Sequence, residues 1–157
     1  MKILIIGSQK PFYAESFYNK AFNQLGFGTV MLDISERVEH PLFTRIIHIR
    51  TSLLHFLQNS IYINKALDQK VRKIDLDAII VFRGEFISTQ SLKMLSENYK
   101  LYLLYPDMFK FQHNLRNRLP LFLTIFTTAN NTDFYRKLRG KHVVMVPWAY
   151  DSEFHRV

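Results

Sequence analysis

The sequence predicts an α/β fold: a doubly wound, mostly parallel sheet of about six strands with helices on both faces. Short apolar runs alternate with stretches of helical spacing along the 157 residues, as expected where crossover helices join parallel strands. Most of these runs end at a glycine, a proline or a charged residue. With 48% hydrophobic and 22% charged residues, the composition is that of one globular domain of ordinary size.

The first half of the chain carries two predicted strands, at residues 2–6 and 29–32. The helix between them is closed by Gly26 and Gly28, because glycine tolerates the left-handed cap conformation. Its apolar face is formed by Phe17, Ala21, Phe22 and Leu25. Residues 36–73 then form one or two helices. Their apolar face is formed by Ile46, Ile49, Leu53, Phe56 and Leu57.

The second half repeats the strand and helix unit. Strands are predicted at residues 78–82, 101–105, 122–126 and 143–146, each a short apolar run. A helix after the first of them starts at Ser88 or Thr89 and buries Leu92 and Leu95. Two further helices are predicted at residues 108–118 and from Asn131 or Thr132 to Arg139. Ligands of such a sheet gather at the carboxyl ends of its strands.

The segment after the first strand, GSQKPF, excludes two nucleotide-binding motifs. It has neither the GxGxxG fingerprint nor the GxxxxGK[ST] loop, so a dinucleotide fold and a P-loop lose support. Gly7 and Ser8 remain candidates to offer their amides to an acceptor hydroxyl or a phosphate. The alternative is a turn that needs only a small residue.

The segment RGEF after the third strand brings a cation, a flexible backbone point and a carboxylate together. Arg83 is suited to a phosphate or carboxylate through its planar guanidinium, and Glu85 to the proton of a hydroxyl or to a sugar. Gly84 lies between them. The alternative is that Arg83 and Glu85 pair with each other or cap neighbouring elements.

Two further strand ends carry candidates. Tyr105 and Asp107 follow the fourth strand in the segment YPDMF, where Asp107 is either a base or sugar ligand or the N-cap of the next helix. The last strand leads into PWAYDSEF. There Trp148 and Tyr150 either stack on the apolar face of a sugar or simply pack at the surface of the domain. Asp151, the next residue, is a further candidate for binding the substrate.

The composition restricts the chemistry and the partners. The chain has no cysteine, which excludes disulfides, thiolate nucleophiles and cysteine-ligated metals. The histidines lack HxxxH and HExxH spacing, so no metal site is predicted. The net charge of +8 favours an anionic partner. The apolar runs are too short for a transmembrane helix or a secretory signal, so a cytoplasmic protein is predicted.

Three segments taken together carry a family resemblance. LDAIIVFRGEF, LYLLYPD and VVMVPWAYDSEFHR, in this order, resemble the N-terminal half of CgeB-like (spore-maturation type) glycosyltransferases. The residues that match are Gly84, Glu85, Tyr105, Pro106, Asp107, Pro147, Ala149, Tyr150 and Asp151. The ending also resembles the exit from the first domain of GT-B type glycosyltransferases. Met108 stands where family members commonly have a second aspartate.

The resemblance implies that residues 1–157 are one Rossmann-like domain, the acceptor-side half of a two-domain sugar transferase. The expected partners are a sugar or glycan acceptor and a C-terminal donor domain that this chain lacks. No cofactor is expected in this chain, because the nucleotide-sugar donor would bind mainly the other domain. Glu85 and Asp107 are then the candidate catalytic residues, in contact with the acceptor hydroxyl. The isolated chain is expected to be inactive.

Three alternatives stay open beside this interpretation. The same strand ends suit a non-catalytic module for a sugar, a nucleotide or an anionic ligand. Residues 37–73 are net basic and suit peripheral contact with an anionic membrane, or else form a solvated helix surface. Nucleic-acid binding is motivated by the charge, but many aromatic residues fall on faces expected to be buried and no nucleic-acid motif is present. These aromatic residues include Phe82, Tyr102, Phe122 and Phe126.

Overall fold

A computed structural model of the protein describes residues 1–11, 13–34, 52–85, 87–105, 117–127 and 142–146, without the side chains of residues 52–60 and 62. It confirms the α/β prediction. The strands are β1 (Lys2–Gly7), β2 (Gly28–Asp33), β3 (Ala78–Phe82), β4 (Lys100–Tyr105), β5 (Thr124–Thr127) and β6 (Val143–Met145). The helices are α1 (Ala14–Gln24), α2 (Ser52–Val71) and α3 (Thr89–Asn98), with a 3₁₀ turn at Leu119–Leu121.

All six strands are parallel and lie in the order β2-β1-β3-β4-β5-β6. The chain therefore moves outward from β1 to β2, returns across β1 to β3 and then continues in the other direction. The point where the direction reverses lies between β1 and β3. In doubly wound sheets a crevice opens at the carboxyl ends of the strands on either side of this point. The described strands thus direct attention to the residues after β1 and β3.

Helices cover both faces of the sheet. α1 packs Tyr18 and Phe22 against the face that includes Ile5 and Phe82, and the Tyr18 and Phe82 rings meet edge to face at 5.6 Å. This burial raises the pKa of the Tyr18 hydroxyl. α2 and α3 cover the opposite face. They bury Ile63, Leu67, Val71, Leu92 and Leu95 there.

The predicted strand positions hold except at β5. Its start was predicted at Phe122, but the strand begins at Thr124. The Leu119–Leu121 turn precedes Phe122, which is buried as part of the core under α2 and α3. An apolar residue at the end of a buried turn has the same sequence pattern as the first residue of a strand.

Two residues of the first predicted helix differ from their predicted roles, while the predicted start of α3 holds. Gly26 has a φ of +81° and follows α1, which agrees with its predicted role. Gly28 is instead the first residue of β2, and Leu25 is 72% exposed rather than part of the apolar face. Ser88 is the N-cap of α3, where its side chain accepts a hydrogen bond from the Ser91 amide at 3.0 Å. Leu92 and Leu95 are buried as predicted.

Only part of the basic segment 37–73 lies within the described residues. In α2 the Lys70 ammonium donates to the main-chain oxygen of Met31 on the outer strand β2. Arg72 lies 3.8 Å from the Asp68 carboxylate. Two of the cations considered for a lipid surface therefore have partners within the protein. No described helix combines the length and the apolar character needed to cross a bilayer.

Candidate functional site

The described site residues that the sequence predicted lie at the carboxyl edge of the sheet, near the reversal point between β1 and β3. Gly7 ends β1, residues 83–85 follow β3, and Tyr105 ends β4. β3 is hydrogen-bonded to both β1 and β4, so the three strand ends are adjacent. Asp107, Trp148, Tyr150 and Asp151 lie outside the described residues, and their roles stay predictions.

The connection from β1 to α1 is shaped by a buried carboxylate that the sequence analysis did not single out. Glu15 lies in the first turn of α1, and its Oε1 accepts a hydrogen bond from the Ser8 amide at 3.3 Å. The Ser8 amide is one of the two groups considered for a ligand phosphate. A phosphate at this position would have to compete with the Glu15 carboxylate for that amide.

Gly7 has a steric reason to be glycine. A Cβ atom on this residue would lie 2.4 Å from Glu15 Cγ, closer than Cβ atoms approach other atoms in proteins. Glu15 is buried, so its side chain has little room to move away. This close approach supports the simpler explanation of the turn, in which a residue without a side chain is required.

The turn after β3 holds Arg83 in a strained backbone conformation. Arg83 has a φ of +65° and Gly84 a φ of +76°. The Gly84 amide donates to the Phe82 main-chain oxygen at 2.8 Å, which makes Arg83 the central residue of a three-residue γ-turn. A left-handed φ is unfavourable for a residue with a Cβ. Strain of this kind is concentrated at ligand-binding and catalytic sites.

The strain at Arg83 predicts that its glycine variant is more stable than its alanine variant, which reverses the order found in ordinary helices. Both Arg83→Ala and Arg83→Gly remove the side chain, but only glycine adopts the left-handed conformation without cost. We expect the glycine variant to be more stable than the alanine variant by about 1 kcal/mol. Urea denaturation measures the difference.

The control for this comparison is Lys93 on the exposed side of α3. There the alanine variant should exceed the glycine variant in stability by about 1 kcal/mol. If the alanine variant were more stable than the glycine variant at both positions, Arg83 would carry no backbone strain.

Glu85 and Tyr105 join the ends of β3 and β4 through a hydrogen bond. The Tyr105 hydroxyl donates to Glu85 Oε1 at 2.7 Å. Tyr105 is buried, so its ring has a fixed position from which to orient the half-buried Glu85 carboxylate. The sequence placed these residues in two separate segments, and the fold brings them into contact.

Arg118 is a further residue at this edge that the sequence did not reveal. Its guanidinium donates to the Glu85 main-chain oxygen at 3.1 Å through Nη1 and to Thr89 Oγ1 at 3.2 Å through Nε. Burial lowers the pKa of the Arg118 guanidinium, while the nearby Glu85 carboxylate opposes that change. Arg118 thus connects the Glu85 turn to the first residue of α3.

A pocket of about 810 Å³ lies at the opposite edge of the sheet, where β3 and β4 begin. Asp77, Glu97 and Lys100 line it, and Asp77 accepts a hydrogen bond from the Lys2 amide at 2.6 Å. Parallel sheets place their ligands at the carboxyl ends of the strands, and this pocket is at the other end. We therefore assign the candidate site to the carboxyl edge despite the size of this pocket.

No family model, curated protein or solved structure matches this chain. Within the described residues, no three His, Asp or Glu side chains are grouped so that they would hold a metal ion. The functional argument therefore depends on the geometry of the carboxyl edge, chiefly on Ser8, Glu15, Arg83, Glu85 and Tyr105.

Proposed function

We propose that this domain binds the acceptor in a glycosyl transfer, with the acceptor sugar at the carboxyl edge between β1 and β4. The contact between Tyr105 and Glu85 carries the proposal. It gives a carboxylate at the edge of the sheet a fixed orientation, and a fixed carboxylate is a common partner of sugar hydroxyls. The two residues belong to two of the three segments that resemble CgeB-like glycosyltransferases.

The chemistry assigned to this edge is displacement at an anomeric carbon. The acceptor oxygen forms a bond to that carbon, and the bond from the carbon to the diphosphate oxygen of the donor breaks with its electron pair. The hydroxyl proton passes to a carboxylate. Tyr105 occupies Glu85 Oε1, so we assign Oε2 to the acceptor hydroxyl. Asp107 is the second carboxylate of this proposal, and Arg83 is the cation that holds an anionic group across a cleft between this domain and the donor domain.

The aromatic side chains give little support to the nucleic-acid alternative. Phe82 and Phe122 are buried in the core. Tyr102 and Phe126 are half-buried and lie against each other, with ring centroids 6.2 Å apart. Single-stranded nucleic acids need open aromatic faces on which bases stack. All four of these rings therefore pack against other side chains of the fold.

The proposal is tested by nuclear magnetic resonance titration of the isotope-labelled chain. The probes are methyl glycosides of glucose, galactose, mannose and N-acetylglucosamine, each at millimolar concentration, and uridine diphosphate glucose. We expect at least one glycoside to shift the resonances of Glu85 and Tyr105. Glu85→Gln should weaken that binding about tenfold, the usual effect of losing a hydrogen bond to a charged group.

The matched control is Glu97→Gln, which makes the same change at an exposed position on the opposite edge and should leave the affinity unchanged. Binding of uridine diphosphate glucose at this edge without any glycoside binding would assign the domain to nucleotides instead. Binding of a generic oligonucleotide that weakens steeply with salt, with no glycoside binding, would favour the nucleic-acid alternative.

A further inference from the structure

Two polar side chains in the β1–α1 connection are almost completely buried. Ser8 is 4% exposed and Glu15 is 6% exposed. Their described hydrogen bonds are the Ser8 amide to Glu15 Oε1 at 3.3 Å and the Lys10 amide to Ser8 Oγ at 3.2 Å. Among the described residues, Glu15 Oε2 and the Ser8 hydroxyl proton have no partner. One open acceptor and one open donor are thus present in one short connection.

A carboxylate in this state is under-satisfied. Hydrogen bonds to a charged oxygen are usually about 2.7 to 2.9 Å long, and the single bond to Glu15 is longer than that. Burial of a charged group is unfavourable unless several hydrogen bonds compensate it. Buried polar groups are nearly always paired with protein, water or ligand. The part of the chain that the structure describes supplies no further donor to Glu15, so its second oxygen is open to a donor from water or from a ligand.

The pair lies at the carboxyl edge of the sheet, to which we assign the ligand. Ser8 directly follows β1, and β1 is the neighbour of β3, which leads to Arg83 and Glu85. In nucleotide-binding doubly wound folds the same connection offers amides and a helix N-terminus to a phosphate. Here the Ser8 amide is bound to Glu15. The negative charge of that side chain repels a second anion.

We propose that Ser8 and Glu15 form a subsite for an unphosphorylated, hydroxyl-bearing ring and exclude the phosphorylated form of the same sugar. A ring hydroxyl donates to Glu15 Oε2, and a neighbouring ring oxygen accepts from the Ser8 hydroxyl. This inference rests on the proposed function, because it names the class of acceptor that the edge binds. The net charge of +8 favours an anionic partner, and under this proposal that partner binds at a site other than the β1–α1 connection.

The test compares one sugar with its phosphate. The probes are the glycoside that binds in the titration above and its 6-phosphate, measured by calorimetry with the unaltered chain, Glu15→Gln and Ser8→Ala. The unaltered chain should bind the neutral sugar at least tenfold more tightly than the phosphate. Glu15→Gln should bind the neutral sugar about tenfold more weakly and the phosphate about fivefold more tightly. Ser8→Ala should weaken the neutral sugar without improving the phosphate, since the charge of Glu15 remains.

A direct readout comes from the carboxyl carbon of Glu15, whose carbon-13 resonance should move when the neutral sugar is added. Glu97→Gln is again the control and should change neither affinity. Sugar binding that is unaffected by Glu15→Gln, with an unchanged preference over the phosphate, overturns this inference and leaves the proposed function in place. An unaltered chain that binds no glycoside overturns the proposed function and this inference with it.

Discussion

Gly7→Ala is expected to lower the free energy of unfolding by about 2 kcal/mol, the effect of overpacking a buried position. The added methyl group would lie 2.4 Å from Glu15 Cγ. Relief requires the buried Glu15 side chain or the end of β1 to move, and either movement disturbs the hydrogen bond to the Ser8 amide. We therefore expect loss of ligand binding together with the loss of stability. Urea denaturation and the glycoside titration measure the two effects.

A double-mutant cycle tests the origin of that effect. Glu15→Ala removes the Cγ atom that the new methyl group would meet, leaving Glu15 Cβ at a tight but tolerable 3.2 Å. In the Glu15→Ala background, Gly7→Ala should therefore cost less than about 1 kcal/mol, which gives a coupling of the size seen between residues in contact. Equal costs in the two backgrounds would contradict the packing of Glu15 against Gly7.

Leu67→Ala is expected to lower the free energy of unfolding by about 3 kcal/mol, within the range found for buried leucines. Leu67 lies on α2, is fully buried and belongs to the core beneath α2 and α3. Truncation removes packing between that helix and the sheet and leaves a cavity. Thermal and urea denaturation, followed by circular dichroism, measure the change.

Ile61 provides the control on the same helix. Its side chain is 70% exposed, so Ile61→Ala should change the stability by less than about 0.5 kcal/mol. Similar losses for the two variants would mean that α2 does not pack on the sheet through the face that includes Leu67.

The strands could be predicted because a parallel sheet buried on both faces requires continuous apolar runs. β1 and β3 are such runs, bounded by glycine or a charged residue, and their predicted limits differ from the observed ones by at most one residue. The error at Phe122 arose because burial and strand conformation have the same pattern over a few residues. Leu25 was misplaced because helical spacing continued one residue beyond the end of α1 at Gln24.

The site was only partly predictable, because its decisive contacts join residues that are distant in sequence. Glu85 and Tyr105 were selected since they follow strands, yet nothing in the sequence shows that one binds the other. Arg118 was read as the end of a helix, and its contact with Glu85 spans more than thirty positions. Glu15 had a weak signal. An acidic residue in the first turn of a helix is common for electrostatic reasons alone. Its presence there therefore did not indicate that Glu15 is buried against Gly7.

The bond from Lys70 to the Met31 oxygen affects how the molecule meets other copies of itself. β2 is the outermost described strand on its side of the sheet, and an outermost strand offers main-chain groups to any foreign strand that approaches. An ammonium group already bound to one of those oxygens would have to be displaced first, and its charge would be left without that partner. We therefore expect the contact to oppose the addition of a foreign strand at this border, which is an early step of aggregation.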